Sequence, residues 1–209
     1  MIFIDLDNTV YNQGQYLRYV YKEISKFIEK EFKINSKDVY KYLVNITKTK
    51  TLHYPIFDDL VKDFKIDIDP KELVNMYRKL VIDYLKNKKL ILYKEALNIL
   101  KNENVVIYTE GREELQKAKI ENIEKNYNLK LNYIIVKDKL DKENIKIFEE
   151  YSPKIYIGDD IFKDFYIPNK LNILTVRVLT GIYKHISNET VKEEYRPKVT
   201  IKNLSYFKR

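Results

Sequence analysis

The chain has no cysteine, no tryptophan and only two histidines among its 209 residues. Without cysteine, disulfides, thiolate metal sites and cysteine nucleophiles are excluded. His53 and His185 are too few and too far apart to argue for a zinc site or a serine–histidine triad. A hard metal ion held by oxygen remains open. Glycine (4) and proline (5) are scarce, and no Pro/Gly linker, low-complexity tract or internal repeat divides the chain. No stretch approaches the roughly 18 uninterrupted apolar residues of a membrane-spanning helix, so no membrane partner is expected. Met1 to Asp7 turns acidic where a secretory signal would be basic and then apolar. The expectation is a cytoplasmic globular protein, with one domain or a core domain carrying a smaller insertion.

A formal charge of +8 favours polyanions, either nucleic acid or phosphorylated metabolites. The lysines, however, are scattered along nearly every segment, the pattern of solvated helix faces. Nucleic acid is therefore not the expected partner on charge alone.

Hydrophobic periodicity divides the chain into two textures. Met1-Ile2-Phe3-Ile4-Asp5 reads as a buried parallel strand ending in acid. From Gln15 to Lys33, apolar residues at Leu17, Val20, Tyr21, Ile24, Phe27, Ile28 and Phe32 fall on one helical face. Further helices are predicted over 36–44, 56–64 and 70–85, with Ser36 and Asp69 as N-caps and Pro70 at the first helical position. After Lys89, helix and strand alternate. Helices are expected over 93–100, 113–127 and 141–151, and strands over 105–109, 133–136, 154–158 and 172–178, with 199–201 as a final edge strand. Such alternation implies an α/β fold with a parallel sheet and right-handed crossovers.

Polar groups then recur directly after apolar strands. Asp5 and Asp7 follow the first strand, Thr109 ends the second, and Gly158-Asp159-Asp160 ends a later one, with Asp164 one turn beyond. Strand carboxyl ends are where open α/β sheets gather function.

In these residues the sequence resembles the haloacid dehalogenase-like superfamily. Asp5-Leu6-Asp7-Asn8-Thr9-Val10 matches its first motif, Thr109 its second, and Gly158-Asp159-Asp160-Ile161-Phe162-Lys163-Asp164 its fourth. The resemblance implies a Rossmann-like catalytic core over residues 1–13 and 90–209, with an inserted α-helical cap over 14–89. The cap looks like that of the phosphoglycolate phosphatase-like and pyrimidine 5′-nucleotidase-like branches, in which the cap carries substrate choice.

The chemistry implied is Mg²⁺-dependent phosphomonoester hydrolysis. Asp5 attacks phosphorus and Asp7 serves as general acid and then base. The expected Mg²⁺ ligands are Asp5, the Asp7 backbone carbonyl and Asp159, with Asp160 or Asp164 acting directly or through water. Thr109 offers its hydroxyl to the phosphoryl group, and the amides of Glu110 and Gly111 add donors. The third-motif lysine falls within 137–142; Lys139 is chosen, ahead of Lys137 and Lys142. Glu110 stands where many relatives carry asparagine, and its partner is open between a site lysine, Arg112, substrate hydroxyls and solvent. Asp7 argues against dehalogenation. The basic and aromatic stretch from Lys48 to Pro55 is a candidate substrate contact, and Asn8-Thr9-Val10-Tyr11 is similar to the Asn-Thr-Leu-Tyr form of pyrimidine 5′-nucleotidase-like members, a resemblance that implies nucleotides ahead of sugar phosphates. A noncatalytic binding protein and a phosphomutase are the alternatives.

Overall fold

The computed structural model describes residues 1–49, 55–101 and 104–207. Most of the 48–55 stretch, including His53, thus lies outside the described residues. In chain order the elements are β1 (Ile2–Ile4), α1 (Gly14–Phe32), α2 (Ser36–Thr49), α3 (Ile56–Phe64), α4 (Pro70–Asn87) and α5 (Lys94–Leu100). There follow β2 (Val105–Glu110), α6 (Glu113–Tyr127), β3 (Asn132–Val136), α7 (Ile145–Tyr151), β4 (Ile155–Gly158), α8 (Tyr166–Lys170), β5 (Leu174–Val178) and β6 (Val199–Ile201).

The chain divides into two compact units, one of Met1–Gln13 with Lys89–Arg209 and one of Gly14–Lys88. In the first, all six strands pair in parallel in the order β3-β2-β1-β4-β5-β6. Phe3 lies opposite Val106 on one side and Tyr156 on the other. The strand order reverses between β1 and β4, so the crevice beyond their carboxyl ends is where residues from several loops can meet. The central strands read as unbroken apolar runs because both faces are covered. On one face Phe3, Tyr108, Phe148, Tyr156 and Phe165 form an aromatic cluster. Phe3 stacks on Tyr108 with ring centres 5.5 Å apart, and Tyr156 meets Phe165 edge-on. Such packing fixes the strands whose ends carry the acids.

Among the described residues the elements of the second unit are all helices, α1 packing on α2 and α4, and α3 on α2 and α4. Its interior holds Val20, Ile24 and Ile28 of the apolar stripe read from sequence, together with Leu43, Leu60 and Leu73, whereas Phe27 and Phe32 of that stripe are partly exposed. Asp69 caps α4, its carboxylate accepting from the Lys71 amide, with Pro70 next. Among the described residues no helix is long and apolar enough to cross a membrane.

Local departures have local causes. The side chain capping α2 is Asn35, which accepts from the Lys37 amide at 2.9 Å, and Ser36 is already helical. The 141–151 segment starts as a 3-10 turn over Lys142–Asn144, capped by Asp141, before α7. Asn172 adopts a left-handed conformation, φ 55°, so β5 begins only at Leu174. The short α8 contains Pro168, which is tolerated because the first-turn amides of a helix have no intrahelical acceptor.

Candidate active site

After β1 the chain folds sharply back on itself. The Asp5 amide donates to Ile157 O of β4 at 2.8 Å, which holds the strand ends together. Beyond it the Val10 amide reaches Leu6 O, and Asn8 sits at φ 61°, a left-handed geometry that asparagine tolerates better than most residues. The Asn8 side chain braces the turn, accepting from the Gln13 amide.

Three carboxylates converge below this turn. Asp5, Asp159 and Asp164 each offer an oxygen within 4.8 Å of the others, and all three side chains are buried. Thr9 Oγ1 lies 3.3 Å from Asp5 Oδ2 and 3.4 Å from Asp159 Oδ1. Burial pushes the Asp5 carboxyl up to about 7, an increase moderated by Lys139 and reinforced by Asp164 and Asp7. Asp159 is held well above the usual carboxylate range by burial and then by the charges of Asp5, Asp164 and Asp160. A cluster that resists carrying its own negative charge, built only from oxygen donors, fits a hard divalent cation such as Mg²⁺.

Lys139 brings a positive charge into this cluster. Its ammonium lies 2.5 Å from Asp5 Oδ1 and 2.6 Å from Asp164 Oδ1 and is 6% exposed. Burial opposes its charge, but Asp164 and Asp5 more than offset that, and its pKa stands well above the usual lysine value. Lys137 and Lys142, the other candidates, are solvent-exposed. Asp164 is fixed further by Tyr156, whose phenol donates to Oδ1 at 3.0 Å, and by the Asp160 amide, which donates to Oδ2 at 2.8 Å. The Asp160 carboxylate instead accepts from the Phe162 amide, so Asp160 belongs to the turn and Asp164 to the cluster.

Asp7 is engaged by Tyr11 and by two groups, Lys119 and Gln116, that sequence reading did not single out. Lys119 Nζ lies 2.6 Å from Oδ2, Gln116 Nε2 lies 3.3 Å from the same oxygen, and the Tyr11 phenol donates to Oδ1. Burial alone would raise the Asp7 pKa, but Lys119, Tyr11 and Gln116 together hold it below the usual range. Gln116 and Lys119 are three residues apart on α6 and so share a face. That i, i+3 spacing was legible, but nothing in it pointed to residue 7.

Thr109 is buried at the end of β2, its hydroxyl accepting from Gln116 Nε2 at 3.2 Å. Gly111, expected to offer its amide to a phosphoryl group, donates instead to Val136 O at 2.9 Å, which continues the β2–β3 pairing one residue past the strand. Glu110 faces lysine. Its carboxylate lies 3.0 Å from Lys163 Nζ and accepts from the Lys139 amide at 2.7 Å.

Two glycines leave room for the acids. A Cβ on Gly158 would stand 2.2 Å from Asp164 Oδ2, and one on Gly181 only 1.6 Å from Asp159 Oδ2. Gly181 was not singled out in the sequence, and its φ of −89° is open to any residue, so space and not conformation demands glycine there. Gly181→Ala is expected to cost about 1–3 kcal/mol in stability, the usual scale of overpacking. The urea midpoint measures this, and an unchanged midpoint would show that Asp159 has room to move.

No family model matches the chain. A curated protein, the glyceraldehyde 3-phosphate phosphatase of Methanocaldococcus jannaschii, is 25% identical over 207 residues, covering 90% of this chain and 88% of that protein. Among solved structures, a haloacid dehalogenase-like hydrolase of Burkholderia xenovorans is similar with a TM-score of 0.61 and 17% identity, covering 97% of this chain and 94% of that one. A HAD-hydrolase of Bacillus subtilis, solved bound to magnesium, gives 0.63 and 14%, covering 99% and 95%. At such low identities the likeness speaks to architecture. The chain therefore has the haloacid dehalogenase-like fold, a Rossmann-like parallel sheet with helices on its flanks.

Proposed function

We propose that this protein is a Mg²⁺-dependent phosphatase that hydrolyses a small phosphomonoester through an aspartyl-phosphate on Asp5. The observation that carries the reading is the buried Asp5–Asp159–Asp164 cluster, bridged by Lys139, with a second acid, Asp7, on the same loop. The likeness to a named phosphatase over 90% of the chain supports it. Met1–Gln13 and Lys89–Arg209 act as the catalytic core and Gly14–Lys88 as the cap.

Asp5, Asp159 and Asp164 would hold the metal, whose charge offsets the repulsion between these carboxylates and a phosphate dianion. A carboxylate oxygen of Asp5 forms the new bond to phosphorus as the bond to the leaving oxygen breaks, and that oxygen takes a proton from Asp7. Water then attacks the aspartyl-phosphate, its proton passes to Asp7, and Asp5 is released. The proton given in the first displacement is recovered in the second, so Asp7 ends as it began. Lys119 and Tyr11 favour ionised Asp7 in the free protein. An arriving phosphate dianion raises the proton affinity of Asp7, so proton loading accompanies substrate binding. Lys139 and the Thr109 hydroxyl neutralise and orient the phosphoryl oxygens.

The substrate is a small phosphorylated metabolite, and the glyceraldehyde 3-phosphate phosphatase likeness puts sugar phosphates ahead of nucleotides in a first screen. The test is phosphate release from p-nitrophenyl phosphate and then from triose phosphates and nucleoside monophosphates, with Mg²⁺ and with EDTA. Release is expected only with Mg²⁺, and Asp7→Asn should lower kcat by about 10²- to 10⁴-fold, the span of a general acid–base contribution. A wild-type protein that releases no phosphate from any of these sinks the proposal.

A further inference from the structure

We propose that Glu110 is a positioning residue for Lys139, acting through a clamp that ties together the loops after β2, β3 and β4, and that it does not contact substrate. This rests on the reading of the site as a phosphatase.

The geometry is that of a two-handed acceptor. Glu110 Oε2 takes the backbone N–H of Lys139 at 2.7 Å. Lys163 Nζ approaches Oε1 at 3.0 Å and Oε2 at 3.3 Å, and reaches across to Asp138 Oδ1 at 2.8 Å. The Glu110 side chain is only 10% exposed and Lys163 19%, so the pair is screened from bulk water far more than a surface ion pair. The linked residues lie at or beyond three strand ends: Glu110 closes β2, Asp138 follows β3 and Lys163 follows β4. Each delivers a neighbour to the site: Thr109 beside Glu110, Lys139 beside Asp138, and Asp164 beside Lys163. The Lys139 loop is pinned on its far side as well, where Asn144 Nδ2 donates to Asp138 O at 2.7 Å and the Asp138 carboxylate accepts from the Leu140 amide.

The consequence lies at the lysine head group. Lys139 carries a four-carbon stem, and its ammonium must meet Asp5 and Asp164 at once. A long side chain is held in one such geometry only if its backbone is fixed, since rotamer freedom otherwise spreads the charge over several positions. An amide side chain at residue 110 could accept from the Lys139 N–H but would give no ion pair to Lys163. A carboxylate does both, which gives a physical reason for glutamate here. Its two oxygens accept from these donors on neighbouring loops.

The experiment compares wild type, Glu110→Ala, Glu110→Gln and Lys163→Met by steady-state phosphate release and by hydrogen exchange at the Lys139 amide. In Glu110→Ala, kcat is expected to fall by about 10²-fold with KM little changed, the scale of loss from a misplaced group. The Lys139 amide should exchange at least about 10-fold faster, as a lost protecting hydrogen bond implies. Glu110→Gln should restore the amide protection and most of kcat, because an acceptor oxygen remains. Lys163→Met, which spares the bond to Lys139, should fall between. If Glu110→Ala does not fold, Glu110→Gln and Lys163→Met still decide: wild-type kcat in Lys163→Met would remove the clamp from the argument. A rise in KM at constant kcat would make Glu110 a substrate contact, and unchanged exchange at Lys139 would remove the positioning role. Absence of wild-type turnover would overturn the phosphatase reading itself, while the exchange result would still judge the clamp.

Discussion

Asp5→Asn should abolish catalysis while leaving the protein folded. Loss of the nucleophile is expected to cut kcat by roughly 10⁴- to 10⁶-fold, as removal of a nucleophile does in other covalent mechanisms. The fold has reason to tolerate the change. Asp5 is one of three buried carboxylates; besides burial, the charge of Asp164 raises the pKa of Asp5, and the charges of Asp5 and Asp164 raise that of Asp159. A neutral amide of nearly the same shape relieves part of that repulsion, and Lys139 keeps its contact with Asp164. Stability without Mg²⁺ should therefore be equal or higher. Intact-mass analysis after rapid quench should find a phosphorylated species in wild type and none in the variant. A variant that still turns over would move the nucleophile elsewhere.

Lys139→Met should have the opposite profile, harming both stability and activity. The methionine fills much of the same volume, but the buried Asp5 and Asp164 oxygens lose their ammonium partner. Removing one member of a buried ion pair typically costs about 3–5 kcal/mol. In EDTA the urea midpoint should fall accordingly. Mg²⁺ should recover much of the loss, since a ligand that binds only the folded state at 100 times its Kd adds about 2.7 kcal/mol. Turnover should stay down by about 10²- to 10³-fold even with Mg²⁺, the usual loss when one donor to the developing charge is removed. Equal midpoints for variant and wild type, with and without Mg²⁺, would mean that the carboxylates are not held together by this lysine.

The legibility of these features differed by kind. Strand-end acids were readable because a strand buried on both faces leaves an unbroken apolar run, and Asp5 and Asp159 interrupt β1 and β4 at their carboxyl ends. Lys139 was chosen through the family resemblance, which puts a lysine between this strand and the next helix, although Lys137 and Lys142 shared that segment. Asp160 and Asp164 could not be separated, because the turn that directs one to the Phe162 amide and the other to Lys139 is a matter of hydrogen bonding four residues apart. Lys119 and Gln116 were invisible for a different reason. They lie 112 and 109 residues from Asp7, on a helix rich in lysine and glutamate where two more polar positions carry no signal.

The sequence by itself determined the α/β texture, the helical stretch between two strand-like segments, and the acids that must lie at the sheet's edge, since each follows from local periodicity and from which residues can end a buried strand. Only the tertiary structure decided which cation meets which acid. Lys139 with Asp5 and Asp164, Lys119 with Asp7, Lys163 with Glu110 and the space that Gly181 leaves for Asp159 are all pairings across loops from different strands and helices. In a chain with 39 lysines and arginines against 31 acids, charge alone permits far more pairings than the fold allows, and the parallel sheet selects among them by bringing particular loop ends together.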